Sequence, residues 1–474
     1  MSESGRPSGG LFRWAAIAAA LAGLAALVWL PEELYPPGRA ALAVFGIATI
    51  LWAATKIDAA WIAFAGALAL LFLDAVEEQA LFAMLAHQVI WLMIGAFVIG
   101  GAFDASGLSV RLTRALTRRA RRPGQLFWLT TLALVPLTFL IPSTSGRAAA
   151  ILPALRLLPQ GPEAANLRRA YAILVPTVIL VATSAALTGA GSHLLLEDLL
   201  AQRLGDRFGF ARWAMWGLPF ALAASAIACI VVARLFLRPE DRRAELPEPE
   251  CEPRRPLSAL EWRVLVITIA TLVTWCTTEW HGLSVAVVAM LAMLALTAPG
   301  IGAFGFKKAA KTVSWNLVIF VGGAMVLGQA LIDTQAATWI MDQLLALFGL
   351  ESGMAVPSEW LALLGIAAIS LLSHLFMTSH VARAAALGAP LILFAQSTGL
   401  EPMAVLFIGA VGMNYCLTLP VCSKAYLVFQ DAEGGGFGAG DLMRLSAVMA
   451  PLYLLLMLAF YFGWWRWTGL ALLA

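Results

Sequence analysis

The sequence predicts an all-α integral membrane protein, with about eleven transmembrane helices and two re-entrant hairpins set in two inverted repeats. Three observations predict it. Hydrophobic residues make up 61% of the 474 and charged residues 12%, against about 25% charged in soluble domains. The apolar residues gather into runs long enough to cross a bilayer. Two of those runs are broken at the middle by a short polar tip carrying an arginine, Pro142–Arg147 and Met377–Arg383. The net charge of +3 gives no handle for nucleic acid.

The apolar runs are 14–30, 40–54, 60–73, 88–105, 170–197, 213–235, 262–280, 283–298, 314–332, 403–429 and 445–463. The first follows Arg6 and Arg13 as a signal peptide would, but Pro31-Glu32-Glu33-Leu34 comes after it in place of a small-x-small cleavage site. It therefore reads as the first helix, within an N-terminal segment 1–39. Runs 125–158 and 360–395 hold the polar tips, and each is either two further crossings or one re-entrant hairpin.

Positive charge sets sidedness. Arg111, Arg114, Arg118, Arg119, Arg121 and Arg122 precede the first tip, and Arg156, Arg168 and Arg169 follow it. Both ends of 125–158 thus face the cytoplasm, which favours a hairpin entering from that side. The Pro-rich linker 237–258 and Lys307, Lys308 and Lys311 are cytoplasmic by the same rule. Segments 74–87 and 342–359 carry acids but no Lys or Arg and are expected outside, so hairpin 360–395 enters from outside. The N-terminus is expected in the cytoplasm of a cell whose inner membrane holds the chain.

The halves 40–236 and 259–474 are related. Val89–Ser109 aligns without a gap onto Leu317–Ala337, an offset of 228 (317 − 89), so that Gly95 meets Gly323 and Gly100 meets Gly328. Ile47–Trp52 resembles Ile269–Trp275 with one insertion. The two copies run in opposite expected directions, the inverted-topology build in which a solute site lies where the halves meet.

The candidate site residues lie at the tips. Ser143 after Pro142 reads as a helix N-cap, with Ser143, Thr144 and Ser145 adding hydroxyl donors at a positive helix end, an arrangement that binds oxyanions. Arg147 and Arg383 sit in apolar sequence, where a charge costs at least roughly 2.5–3.5 kcal/mol. Lys424 reads as a third such cation. An anionic solute is the expected counter-charge. Cys229, Cys251, Cys276, Cys416 and Cys422 show no paired spacing and read as small apolar fillers.

At these residues the chain resembles the divalent anion:sodium symporters, within a wider superfamily of ion transporters. That family carries Ser-Asn-Thr at each tip with a proline ten residues on; Ser143-Thr144-Ser145 with Pro153 keeps the spacing. Thr188-Gly189-Ala190-Gly191-Ser192-His193 and Leu419-Pro420-Val421-Cys422-Ser423-Lys424 resemble the family's two bent-helix turns, and Trp464–Leu470 its C-terminus. At the second tip the count back from Pro390 gives His380-Val381-Ala382, while polarity gives Thr378-Ser379-His380; the polar register is taken. The tips are expected to bind substrate through Ser143, Thr144, Ser145, Thr378, Ser379 and His380, with Arg147 and Arg383, the cations in apolar sequence, balancing its charge. The resemblance implies that Thr188, Gly189, Ser192, His193, Pro420, Ser423 and Lys424 hold a coupling ion or a charge that replaces one, and that the chain forms a homodimer.

Neither family asparagine survives at the turns, and an ammonium or guanidinium in its place repels Na⁺. The expectation is a Na⁺-independent carrier with Arg383 and Lys424 as tethered substitutes and no cofactor, with His193 and His380 the candidate proton carriers. The expected function is an elevator-type secondary transporter of small di- or trivalent organic anions such as C4-dicarboxylates or citrate. Alternatives in the same superfamily are a sulfate or arsenite-type permease and a cation antiporter. An intramembrane enzyme needs a nucleophile with its base or clustered ligands, and the five histidines show no such spacing.

Overall fold

A computed structural model describes residues 34–55, 57–141, 144–156, 158–159, 161, 164–243, 245–246, 256–339, 343, 358–377, 379–420, 423–430 and 436–473, with 19, 21–25 and 28 near the start. Most of the expected first span 14–30 and of the outer segment 342–359 lies outside the described residues, as does 247–255 of the linker 237–258. So do Pro142, Ser143, Thr378, Cys251 and Cys422.

The fold is helical throughout the described residues. The first half holds α1 (Pro36–Ala54), α2 (Ala59–Phe72), α3 (Glu78–Ala86), α4 (Gln88–Ala105), α5 (Leu108–Arg119), α6 (Pro123–Leu140), α7 (Thr144–Arg156), α8 (Ala165–Ala182), α9 (Gly191–Leu204) and α10 (Phe210–Phe236). The second holds α11 (Ala259–Cys276), α12 (Val285–Thr297), α13 (Trp315–Asp333), α14 (Glu359–Leu372), α15 (His380–Thr398), α16 (Pro402–Met413), α17 (Lys424–Gln430) and α18 (Ala439–Gly463). Among the described residues nine helices are long and apolar enough to cross a membrane, and four apolar helices are shorter. The chain is a multi-pass membrane protein.

Local chemistry sets the helix ends. Pro36, Pro123 and Pro402 open their helices, where a missing N–H loses nothing. Asp58 caps α2 by accepting from the N–H groups of Ala60 (2.9 Å) and Trp61 (3.2 Å). Ser258 and Glu261 form a capping box on α11. Arg111 of α5 donates to the same Glu261 carboxylate at 3.2 and 3.3 Å, tying the arginine-rich helix to the start of the second half.

Packing divides into two bodies. In one, α2 lies along α13 and α12 along α4, with α11 and α1 beside them. In the other, α8 packs on α10 and α6, α9 on α15, and α14 and α15 on α16, with α18 against α10. The first body rests on close backbone approach. A Cβ built on Gly95 of α4 would lie 2.7 Å from Ala289 Cβ and 2.8 Å from Ala289 O. A Cβ on Gly323 of α13 would lie 2.8 Å from Ala63 C and 2.9 Å from Ala63 O. The two glycines are the pair aligned at offset 228 (323 − 95), and each meets an alanine of a helix from the other half. Small residues of this kind let membrane helices touch where no hydrophobic force drives them together.

Because the clashing atoms are backbone, Gly95→Ala and Gly323→Ala should each lower stability by about 1–3 kcal/mol, the usual range for overpacking. Gly365→Ala in α14, where an added Cβ meets nothing within 4 Å, serves as the control. Thermal melting in detergent checks this: glycine variants at 95 and 323 as stable as that control would remove the close contact from the account.

Candidate functional site

Two helices stop within the second body. After α8 the chain makes two short 3-10 turns, Thr183–Ala185 and Leu187–Gly189, with Ala186 and Ala190 extended, before α9 starts at Gly191. After α16 it leaves the helix at Asn414 and resumes at Lys424, beyond Leu419-Pro420. Thr and Gly in the first break and Pro in the second are weak helix formers. Carbonyls freed in this way need protein partners at membrane depth.

Arg147 supplies partners to the first break. It is the fourth residue of α7 and wholly buried. Its Nη1 donates to Thr138 Oγ1 (2.6 Å) and Ile179 O (3.4 Å), and its Nη2 to Thr183 Oγ1 (3.2 Å) and Gly189 O (3.1 Å). All four are neutral oxygens, drawn from α6, α8 and the break itself. Arg383, the fourth residue of α15 and equally buried, serves the second break by donating from Nη1 to Tyr415 O (3.0 Å). His380 Nδ1 lies 3.1 Å from both Arg383 Nη2 and Met413 O.

The breaks also meet each other. Asn414, wholly buried, donates from Nδ2 to Ser184 Oγ (2.9 Å) and turns its amide edge to His193 Nε2, with Nδ2 at 2.9 Å and Oδ1 at 3.1 Å. His193 Nδ1 faces Ala186 O at 3.1 Å. A carbonyl only accepts, so Nδ1 carries the proton and Nε2 of the neutral ring accepts from the asparagine. Trp213 packs on the imidazole with ring centroids 4.5 Å apart and planes tilted by 35°, and donates from Nε1 to Ser184 O (3.0 Å). Asn414 is absent from the residues singled out by sequence. The available signal was a single carboxamide inside the run 403–429.

The other predicted residues divide. Thr188 Oγ1, Ser192 Oγ, His380 Nε2 and Arg147 Nε are buried without a hydrogen-bond partner among the described residues. Such atoms are uncommon and mark places where a ligand or water completes the shell. Ser379 and Ser423 have local tasks: Ser379 Oγ accepts from Ala382 N (3.3 Å) and Ser423 Oγ from Ala425 N (3.2 Å), at the starts of α15 and α17. Thr144 is half-buried at the first turn of α7, and Pro420 is buried in the second break. The side chain of Ser145, like Ser143 and Thr378, lies outside the described residues.

Lys424 departs from expectation. It is exposed, at the first position of α17, so the three buried cations reduce to two. A lysine at a helix end keeps its stem on apolar surface and its ammonium in water; hydropathy alone does not tell it from a buried one. Two buried acids were not anticipated either. Glu197 accepts from Phe208 N (2.7 Å), and Asp198 pairs with His87 (3.1 Å) and Gln202 (2.6 Å). Both lie at the middle of α9, about one turn beyond His193.

Comparison with known proteins places this architecture. The model of the family described as citrate transporter matches residues 49–412 and, overlapping, 275–469. A membrane protein of Cupriavidus necator is 24% identical over 486 residues, covering 97% of this chain and 93% of its own. The L-tartrate/succinate antiporter of Escherichia coli K12 is 25% identical over 393 residues, covering 78% and 77% of the two chains. The crystal structure of the Alcanivorax borkumensis YdaH transporter superposes with a TM-score of 0.57 at 19% identity, over 96% of this chain and 98% of that one, and so shares the fold. The chain belongs to the citrate transporter family and is a membrane transporter, not an enzyme.

Proposed function

We propose that this transporter moves small di- or trivalent carboxylates, C4-dicarboxylates or citrate, by exchange and without Na⁺. One observation carries the proposal. Arg147 and Arg383 stand wholly buried at the same position of two helices, each bound to a carbonyl of the broken helix in its own half. The shell of Arg147, two hydroxyls and two carbonyls, is the kind of oxygen set that suits a hard cation. Here a guanidinium fills it. Arg147 thus replaces Lys424 as the partner of Arg383 in the role of tethered charge.

The anion is the other half of this reading. A guanidinium among neutral groups in a membrane is stabilised by a negative charge close by. The hydroxyls of Thr188 and Ser192, without a hydrogen-bond partner among the described residues, stand beside the break that Arg147 binds and offer donors to a carboxylate. The relatives named for tartrate and succinate support a dicarboxylate. The reciprocal contacts of Gly95 and Gly323 support the inverted repeat, with the first body as a frame and the second, which carries both arginines, as the part that moves.

Proteoliposomes loaded with succinate should take up labelled succinate by counterflow at the same rate, within about twofold, in Na⁺ and in K⁺. Strict dependence on Na⁺ would remove the tethered-charge role.

Lysine at either arginine keeps the charge but loses the planar fork. Arg147→Lys and Arg383→Lys should therefore each cut uptake at low substrate by about 10- to 100-fold, the size of a lost charge-assisted hydrogen bond. Lys424→Ala should stay near wild type. Equal losses at all three positions, measured on variants with wild-type melting curves, would argue against this assignment.

A further inference from the structure

We infer that Asn414 is a positioning residue that joins the two arginine-bearing half-sites into one substrate site. The inference rests on the transport function proposed above. Met413, Asn414 and Tyr415 form a hub. The carbonyls of Met413 and Tyr415 face His380 and Arg383 of α15. The side chain between them reaches the other half, to Ser184 and His193. Three hydrogen bonds connect the guanidiniums through it: Arg147 Nη2 to Thr183 Oγ1 (3.2 Å), Asn414 Nδ2 to Ser184 Oγ (2.9 Å) and Arg383 Nη1 to Tyr415 O (3.0 Å). The remaining links are the peptide bonds Thr183–Ser184 and Asn414–Tyr415.

The residue type fits the place. Both acceptors, Ser184 Oγ and the lone pair on His193 Nε2, are satisfied by the two hydrogens of one amide nitrogen. Alanine or leucine leaves His193 Nε2 buried and unpaired. Every member of the link is at most 1% exposed, so water does not compete for these bonds. The low local dielectric strengthens buried hydrogen bonds of this kind and makes the loss of any one of them costly.

Other bonds also join the halves. Thr177 Oγ1 lies 2.8 Å from Tyr426 OH and donates to Ile173 O (2.6 Å), and Thr177 is not one of the four oxygen partners of Arg147 given above. Thr177→Val therefore removes a cross-half bond without disturbing the link, and separates positioning from simple cohesion.

The experiment is succinate counterflow into proteoliposomes over a range of succinate concentrations, with melting curves of each purified variant. Asn414→Ala should raise the half-saturating concentration about tenfold or more, with maximal rate within about twofold of wild type. Ser184→Ala, a smaller change in case the first variant does not fold, should raise it about threefold. Thr177→Val should lower the melting temperature and leave half-saturation unchanged. Unchanged half-saturation in folded Asn414→Ala, or in Ser184→Ala where Asn414→Ala does not fold, overturns the inference. A fall in maximal rate alone overturns it, as does an equal rise in Thr177→Val. A wild-type chain that moves neither dicarboxylates nor citrate overturns the proposed function, and this inference with it.

Discussion

A helix that ends inside a membrane leaves carbonyls with no water to bind, and each unsatisfied polar group costs several kcal/mol. This chain ends two helices there and answers with arginine. A guanidinium presents five donors in one plane, enough to serve several oxygens at once. Arg147 reaches Thr138, Ile179, Thr183 and Gly189, and so closes α6, α8 and the first break around a single side chain. The residue that makes the break tolerable is the one that puts a positive charge beside it. Architecture and electrostatics are one choice at this position.

The two bodies solve different problems. The pairs α2 with α13 and α4 with α12 are held by shape, with Gly95 and Gly323 admitting the backbone of a facing helix. Such close-packed contacts resist deformation. The second body is held by direction: carbonyls, hydroxyls, an imidazole and an amide whose geometry allows few alternatives. Polar groups are concentrated where the breaks meet and are sparse where the frame packs. That division is what a carrier needs if the polar centre is to travel as a piece.

How much of this was legible varies with the kind of signal. Run length located helices well: 88–105 and 314–332 correspond to Gln88–Ala105 and Trp315–Asp333. Run length was blind to the breaks, because Ala, Leu, Thr and Gly in 183–190 are nearly as apolar as a helix, so 170–197 and 403–429 read as single spans. The bends there were visible only through resemblance, at 188–193 and 419–424, a few residues beyond where the chain leaves α8 and α16. Arg147 and Arg383 stood out because charge in apolar sequence is expensive. The same rule drew in Lys424, since a sequence does not say which way a helix end points. Asn414 passed unnoticed because its partners, Ser184 and His193, are 230 and 221 residues away (414 − 184 and 414 − 193).

A tethered charge differs from a bound ion in one physical respect: it does not leave. A coupling ion that dissociates with its solute returns the empty site to neutrality, so an empty carrier crosses back as readily as a loaded one. On the proposed function, Arg147 would stay charged after the solute departs, among hydroxyls and carbonyls that carry no net charge. Moving that site through the bilayer empty exposes an uncompensated guanidinium to low dielectric, whereas moving it with an anion on board does not. The penalty falls on one leg of the cycle only. Under the proposed function, rebinding an anion before the return would remove it, which would make exchange the faster mode and net uptake the slower. On that reading the direction of the bias would follow from the burial of Arg147, whatever the identity of the carboxylate.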